Sequence, residues 1–365
     1  MKKICLLLVL CLLASVCPAF AEGTTDVSEL LKQAQAAHEA GDYQTEFPLL
    51  QKAAEQGDAT GQLWLGNAYF DGLGVEKNAE EAVKYYQLAA DQGNIPAKYN
   101  LALCYLEGSG VEKDAEKAEA LLTSCADQGD AESQLTLGYI YFNGVVLKRD
   151  YEKAFKYFQM AADQGLVSAQ YQLGVLYHEG KGVEQDFDKA FHYYSLAAEQ
   201  GVPEGLTAVG YCYSAGIGTE KNQEEMLKYY TLGAEQGDPM AMFNLGCCYR
   251  DGDGVEQDYE KMLQYYRQAV ELGNAEAQFN LGYAYYIGLG LEADVNEAFR
   301  LYQLSAEQGF PVAMFAVGDC YYLGTGVEKN PEAAAEWFRK ALDAGYEPDE
   351  TDQKHLEDLM GSKSR

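Results

Sequence analysis

Residues 274–309 read NAEAQFNLGYAYYIGLGLEADVNEAFRLYQLSAEQG, and this stretch decides the fold. Its first half carries Ala277, Leu281, Gly282 and Tyr285, the i, i+4, i+5, i+8 spacing of one buried helical stripe. Gly288 stands three residues after that Tyr, where a helix commonly ends in a left-handed residue, and Gly290 follows two positions on. Asp294 is then placed to accept the free N–H groups of a second helix. That helix brings Ala298 four residues later, then Tyr302, the small pair Ser305-Ala306, and a stop at Gly309. The spacing predicts a helical hairpin: a small-residue helix A, a Gly-rich turn, and an aromatic helix B.

Working outward, the same pattern recurs eight times. Gly57, Gly93, Gly129, Gly165, Gly201, Gly237, Gly273, Gly309 and Gly345 are each 36 residues from the last. The buried Tyr is kept at Tyr69, Tyr105, Tyr141, Tyr177, Tyr213, Tyr249, Tyr285 and Tyr321. The Gly beside the core Leu is expected to let two backbones approach, and only Ala102 departs from it. In the turn, Val146 replaces the second Gly. The cap position is always Asn or Asp, and at Asn330-Pro331 it is followed by Pro at the first helical position. Such a chain is an all-α solenoid, each hairpin packing on its neighbours. Residues 22–57 read as an N-terminal capping pair, Val27 to Ala40 and Tyr43 to Gln56. Residues 58–345 are the eight repeats. Residues 346–365 form a C-terminal capping helix and tail, with Asp349 as cap and Leu356, Leu359 and Met360 on one side.

The first 21 residues have the form of a secretory signal: Lys2 and Lys3, an apolar run from Ile4 to Val16, and Ala19-Phe20-Ala21 before the cut. The run is too short to span a bilayer, so no transmembrane segment is expected in the mature chain. Cys17 follows Ala14-Ser15-Val16. Bulky Val16 departs from the Leu-small-small pattern ahead of a lipid-modified Cys, so cleavage near Ala21 and export to the periplasm or medium are expected.

The 365 residues carry a net charge of −30, a field that repels nucleic acid and draws basic proteins. Four cysteines, Cys104, Cys212, Cys248 and Cys320, share one repeat position held elsewhere by Ala, Ile or Leu, which marks a small buried hydrophobe. Cys104 and Cys125 alone lie on the two helices of one unit, where an oxidising compartment could join them. Asp251-Gly252-Asp253-Gly254 mimics a calcium loop, but Val255 and Glu256 break it. His178 and His192 share one unit without a third ligand nearby. No catalytic residues, metal or cofactor are expected.

The pattern Ala-x-x-x-Leu-Gly-x-x-Tyr-x-x-Gly-x-Gly-Val, then Asp-x-x-x-Ala, an aromatic pair and Ala-Ala-x-x-Gly, resembles the Sel-1-like repeat family, a relative of the tetratricopeptide repeat. The resemblance implies a right-handed α-α superhelix and the role of an adaptor, often an exported one in bacteria. In tetratricopeptide-like stacks helix A lines the concave face. Positions two before the core Leu, two after it and five after it then face the groove. The first row, Tyr99, Tyr171, Phe243, Phe279 and Phe315, divides between helix packing and groove. The other rows give Phe70, Tyr139, Phe142, Tyr211, Tyr283, Tyr286 and Tyr322 as partner-binding residues. A cysteine-rich branch of the family, described as penicillin-binding or β-lactamase-like, bridges successive repeats with regular cysteine pairs. This chain lacks that pairing and has no Ser-x-x-Lys. The expected function is a scaffold, not an enzyme, binding a peptide or a basic partner protein on the concave aromatic face; a structural spacer in the envelope is the alternative.

Overall fold

The computed structural model describes residues 26–361. The expected signal at residues 1–21 lies outside the described residues, as do residues 362–365. Every regular element among the described residues is an α-helix, and the chain divides into two compact units at Leu137.

The first unit holds α1 (Val27–Glu39), α2 (Tyr43–Glu55), α3 (Ala59–Asp71), α4 (Ala79–Asp91), α5 (Ile95–Glu107) and α6 (Ala115–Ala126). Within it each helix from α1 to α6 packs on the next. The boundary falls inside α7 (Ala131–Asn143). The second unit holds α8 (Tyr151–Asp163), α9 (Val167–Glu179), α10 (Phe187–Glu199), α11 (Pro203–Ala215), α12 (Gln223–Glu235) and α13 (Pro239–Asp251). It continues with α14 (Tyr259–Glu271), α15 (Ala275–Ile287), α16 (Val295–Glu307), α17 (Pro311–Leu323), α18 (Pro331–Asp343) and α19 (Glu350–Met360). Here again each helix from α8 to α19 packs on the one that follows. Odd-numbered helices are the A helices and even-numbered ones the B helices.

Local chemistry sets the boundaries. Asp258 accepts from the N–H groups of Glu260 and Lys261 at 3.0 Å, satisfying donors that the first turn of α14 leaves free. Its own N–H donates to the carbonyl of Tyr249 at 2.8 Å, and the same bond from cap to repeat Tyr closes the turn in all eight repeats, although that Tyr is buried only at Tyr141 and Tyr177 and half-buried in the rest. The second turn glycine is needed because the turn lies on the preceding B helix. A Cβ on Gly182, at φ +70°, would fall 2.1 Å from the carbonyl oxygen of Tyr151. Where Val146 replaces that Gly, Val145 and Val146 are left exposed.

The Gly beside the core Leu serves a different contact from the expected approach of two backbones. A Cβ on Gly246 would lie 2.5 Å from the ring of Tyr266, and one on Gly174 2.5 Å from the ring of Tyr194. The aromatic ring of helix B thus fills the space a side chain would take on helix A. Ala102 fits because Leu122 stands where other repeats have that ring, and both are fully buried. Burying Tyr266, Phe158 and Phe338 contributes about 1.5–3 kcal/mol each.

At the C-terminal end α19 lies against α17 and α18. Leu356 is buried with Phe315, Phe338 and Ala341. His355 Nδ1 is 2.7 Å from Asp319, and the hydroxyl of Tyr322 donates to Asp358 at 2.9 Å. Both pairs are 36 residues apart, so α19 occupies the place where the next helix A would lie.

Candidate protein-interaction face

The A helices are apolar around much of their circumference, as the sequence AEAQFNLGYAYYI of α15 illustrates, while the B helices segregate charge to one side. A helix A buries its Ala, Leu and Gly stripe against B helices, so the residues left over form an apolar, aromatic face of their own. Depressions mark it within each unit.

In the first unit a cavity of about 280 Å³ lies between α1 and α3, lined by Gln35, His38, Trp64 and Asn67 with Glu46 from α2. His38 Nδ1 sits 3.0 and 3.1 Å from the two carboxylate oxygens of buried Glu46. In the second unit a groove of about 570 Å³ runs across α9, α11 and α13. Tyr171, His178 and Tyr211 line it together with Glu179, Glu204, Asp238 and Met240. The imidazole of His178 stacks on Tyr211 with ring centres 6.0 Å apart. Buried Asp238 accepts a hydrogen bond from the hydroxyl of Thr207. Burial raises the phenol of Tyr171, and the charges of Glu204 and Asp238, which line the same groove, raise it further. A third depression, about 230 Å³, lies among α15, α17 and the end of the unit, where Phe279, Tyr283, Tyr286 and Phe315 meet Asp319 and Tyr346.

The residues expected to bind a partner divide into two groups. Tyr211, Tyr283 and Tyr286 stand open, 46%, 48% and 41% exposed, and Tyr283 and Tyr286 share one depression. The others are half-buried. Phe70 lies under the ammonium of Lys77 at 5.3 Å. Tyr139 meets Phe158 edge-on at 5.2 Å, and Phe142 meets Tyr151 at 5.6 Å. Tyr322 is engaged by α19, its ring centre 4.7 Å from that of His355. The first row packs mainly on helix B: Phe243 on Tyr266, Phe279 on Tyr302 and Phe315 on Phe338. Tyr171, Phe279 and Phe315 nonetheless supply the depressions' walls.

The sequence reading missed the acids of the groove, Glu179, Glu204 and Asp238, with Met240 beside them, and Val312 in the third depression. Glu179, Glu204, Met240 and Val312 carried the same signal as the tyrosines, a helix A position off the stripe, whereas Asp238 is the N-cap of α13.

The thiols are poor nucleophiles. Burial pushes Cys212, Cys248 and Cys320 up to about 12 and Cys104 to about 11. Cys104 and Cys125 are unjoined in the structure, and the Cys125 Sγ lies 3.7 Å from the carbonyl of Ile95. Among the described residues no three His, Cys, Asp or Glu side chains gather as a metal site, and no helix is long and apolar enough to cross a membrane.

The family model described as Sel1 repeat matches residues 49–58 and then eight consecutive 36-residue blocks from 59–94 to 311–346. The chain belongs to the Sel1 repeat family. The short match at 49–58, at the end of α2, brings the number of matched repeats to about nine. Two solved Sel1-type structures are similar over most of the chain. One is a protective antigen of uropathogenic Escherichia coli displaying an SLR fold, 37% identical over 86% of this chain and 67% of that one, with a TM-score of 0.65. The other is a Sel1 repeat protein of Oxalobacter formigenes, 28% identical over 91% of this chain and 93% of that one, with a TM-score of 0.66. Comparison with curated proteins gives no match. Solenoids of this family are interaction modules, so the Sel1 repeats present a surface for protein partners.

Proposed function

We propose that this Sel1 repeat protein is an exported, non-enzymatic scaffold that holds a peptide or an extended segment of a partner protein on its A-helix face. The observation that carries the reading is the open aromatic set Tyr211, Tyr283 and Tyr286, on helices whose other sides are buried. Large aromatics on rigid helices lose little conformational freedom on binding and form the centres of protein interfaces. Nothing in the packing of the repeat needs them there. At the position of Tyr211 and Tyr283 the neighbouring repeats carry Val175 and Cys247. Export rests on the signal-like residues 1–21, and mass spectrometry of the native protein is expected to find Glu22 as its first residue. The mature chain is expected to leave nitrocefin intact.

The test is cross-linked capture from native cell envelope and medium by the mature protein beside its Tyr211→Ser/Tyr283→Ser variant. Both substituted side chains are exposed, so the variant is expected to fold, with an unchanged circular dichroism melt. A partner captured by the first and lost by the second supports the reading. A partner retained equally by both moves binding off this face.

A further inference from the structure

The A-helix face carries a second repeat, twice as long as the structural one. Tyr139, Tyr211 and Tyr283 stand on alternate A helices, 72 residues apart, and each is preceded by seven residues by an acid: Glu132, Glu204 and Glu276. Seven residues are two helical turns, so acid and ring share one side of the helix. Repeats between them have neither. At the acid position they carry Ser168 and Met240, and at the ring position Val175 and Cys247; the repeat that follows carries Val312 and Asp319, and the first two repeats, which stand outside the alternation, carry Thr60 with Asn67 and Pro96 with Leu103. The fold is satisfied without the pair, since the intervening repeats pack the same Ala, Leu, Gly and Tyr framework. Two residue types that occur together on alternate repeats, and not singly on the others, mark a recognition unit.

In the second unit the structure shows what the pair offers. Glu204 and Tyr211 line the same groove of about 570 Å³. The carboxylates of Glu204 and Glu276 take part in no ion pair or hydrogen bond among the described residues. Glu179 is occupied by Lys181 at 2.7 Å, and no lysine or arginine among the described residues lines the groove. An aromatic face beside an uncommitted carboxylate suits a guanidinium or ammonium, which stacks on the ring and pairs with the acid. Adjacent packed helices are about 10 Å apart, so a two-repeat step is about 20 Å. An extended chain covers that distance in about six residues at about 3.3 Å each.

Building on the interaction face proposed above, we propose that α11 to α15 read basic side chains about six residues apart in an extended segment of the partner, each seated on one Tyr and paired with the Glu two turns before it.

The test uses the mature chain and fluorescein-labelled twelve-residue peptide pools in 150 mM NaCl, read by anisotropy. One pool has Arg at positions 3 and 9, a second has Arg at 3 and 6, a third has citrulline at 3 and 9, and all are randomised elsewhere. The first pool is expected to bind at least tenfold tighter than the others. Glu204→Gln/Glu276→Gln is expected to lower it to the citrulline level. Glu271→Gln/Glu307→Gln, which removes the same charge from exposed ends of B helices, is expected to leave it unchanged. Equal binding of the two arginine pools, equal losses in the two variants, or no binding of the first pool overturns the proposal. A citrulline pool that binds as tightly as the first and is lost in Tyr211→Ser/Tyr283→Ser sinks the basic register but leaves the interaction face standing. No binding by any pool, together with a captured partner that survives that variant, removes both.

Discussion

At the residue scale, the decisive contact is between a glycine and a ring. A methyl added at Gly246 must displace Tyr266, which is fully buried and has nowhere to go, so Gly246→Ala is expected to cost about 1–3 kcal/mol. Adding Tyr266→Leu is expected to return part of it, because Ala102 with Leu122 is that same combination already present in the chain. Urea unfolding of the two single variants and the double variant checks this; strictly additive losses would show that the two sites do not touch. The cysteines give a second test. With their thiols held at or above about 11, Cys104, Cys212, Cys248 and Cys320 are neutral at pH 8 and shielded. In the mature chain they are expected to resist a thiol reagent there, and all six mature cysteines to react on unfolding without reductant. Four reactive thiols instead of six would show that Cys104 and Cys125 are bridged. How much of this was legible differs by residue. Tyr211, Tyr283 and Tyr286 were readable as surface aromatics because their positions lie off the Ala, Leu and Gly stripe that packs on helix B. Tyr322 was not: the capping helix was expected from Asp349 and its apolar side, but it departs from the repeat pattern, so no spacing rule tells which residues of the last copy it engages.

At the element scale, helices and turns were legible almost throughout, because most boundaries rest on a local device: Asx at the start of every B helix and left-handed Gly at or just after the end, while α9, α11 and α17 start at Leu166, Val202 and Phe310 with no side-chain cap. Asp258 caps two N–H groups, so Asp258→Ala is expected to cost about 1 kcal/mol, while Asp258→Asn stays close to neutral since its side-chain oxygen accepts the same bonds. A melt of both variants decides it, and a loss in the Asn variant as large as in the Ala variant would mean that charge, not the accepted hydrogen bonds, is what the cap supplies. The α19 helix is different in kind. Its polar sequence, ETDQKHLEDLM, places Leu356 and Leu359 against the unit, where they cover Phe315, Phe338 and Tyr346. Residues Glu350 to Arg365 are thus expected to be needed for stability. Their removal is expected to lower the melting temperature by several degrees, from a loss of about 1.5–3 kcal/mol at Leu356 alone. Binding of an apolar dye at the newly bared end should rise with it. An unchanged melt would mean that the end of the solenoid needs no cover.

At the scale of the whole molecule, charge acts in a way that no single element reveals. The chain has 57 acids against 27 bases, and its ion pairs are mostly exposed i,i+3 neighbours such as Lys84–Glu81 and Arg300–Glu297, which contribute little. Most carboxylates therefore meet one another's field across the surface. Self-repulsion of this kind opposes the folded state and is screened by salt, since the Debye length falls from about 30 Å at 0.01 M to about 8 Å at 0.15 M. The melting temperature is thus expected to rise as NaCl is raised from 10 to 300 mM, whereas a protein held by its surface ion pairs would lose stability over the same range. The same field bears on function. An exposed aromatic face invites self-association, and two copies each at −30 repel before their faces meet. A basic segment is drawn in by the field that keeps the copies apart. Sedimentation at 10 and 300 mM NaCl separates the two consequences: a monomer at low salt that begins to associate at high salt shows charge guarding the face. A monomer at both, with a melt that does not move, would mean that the acids are too dispersed to act together.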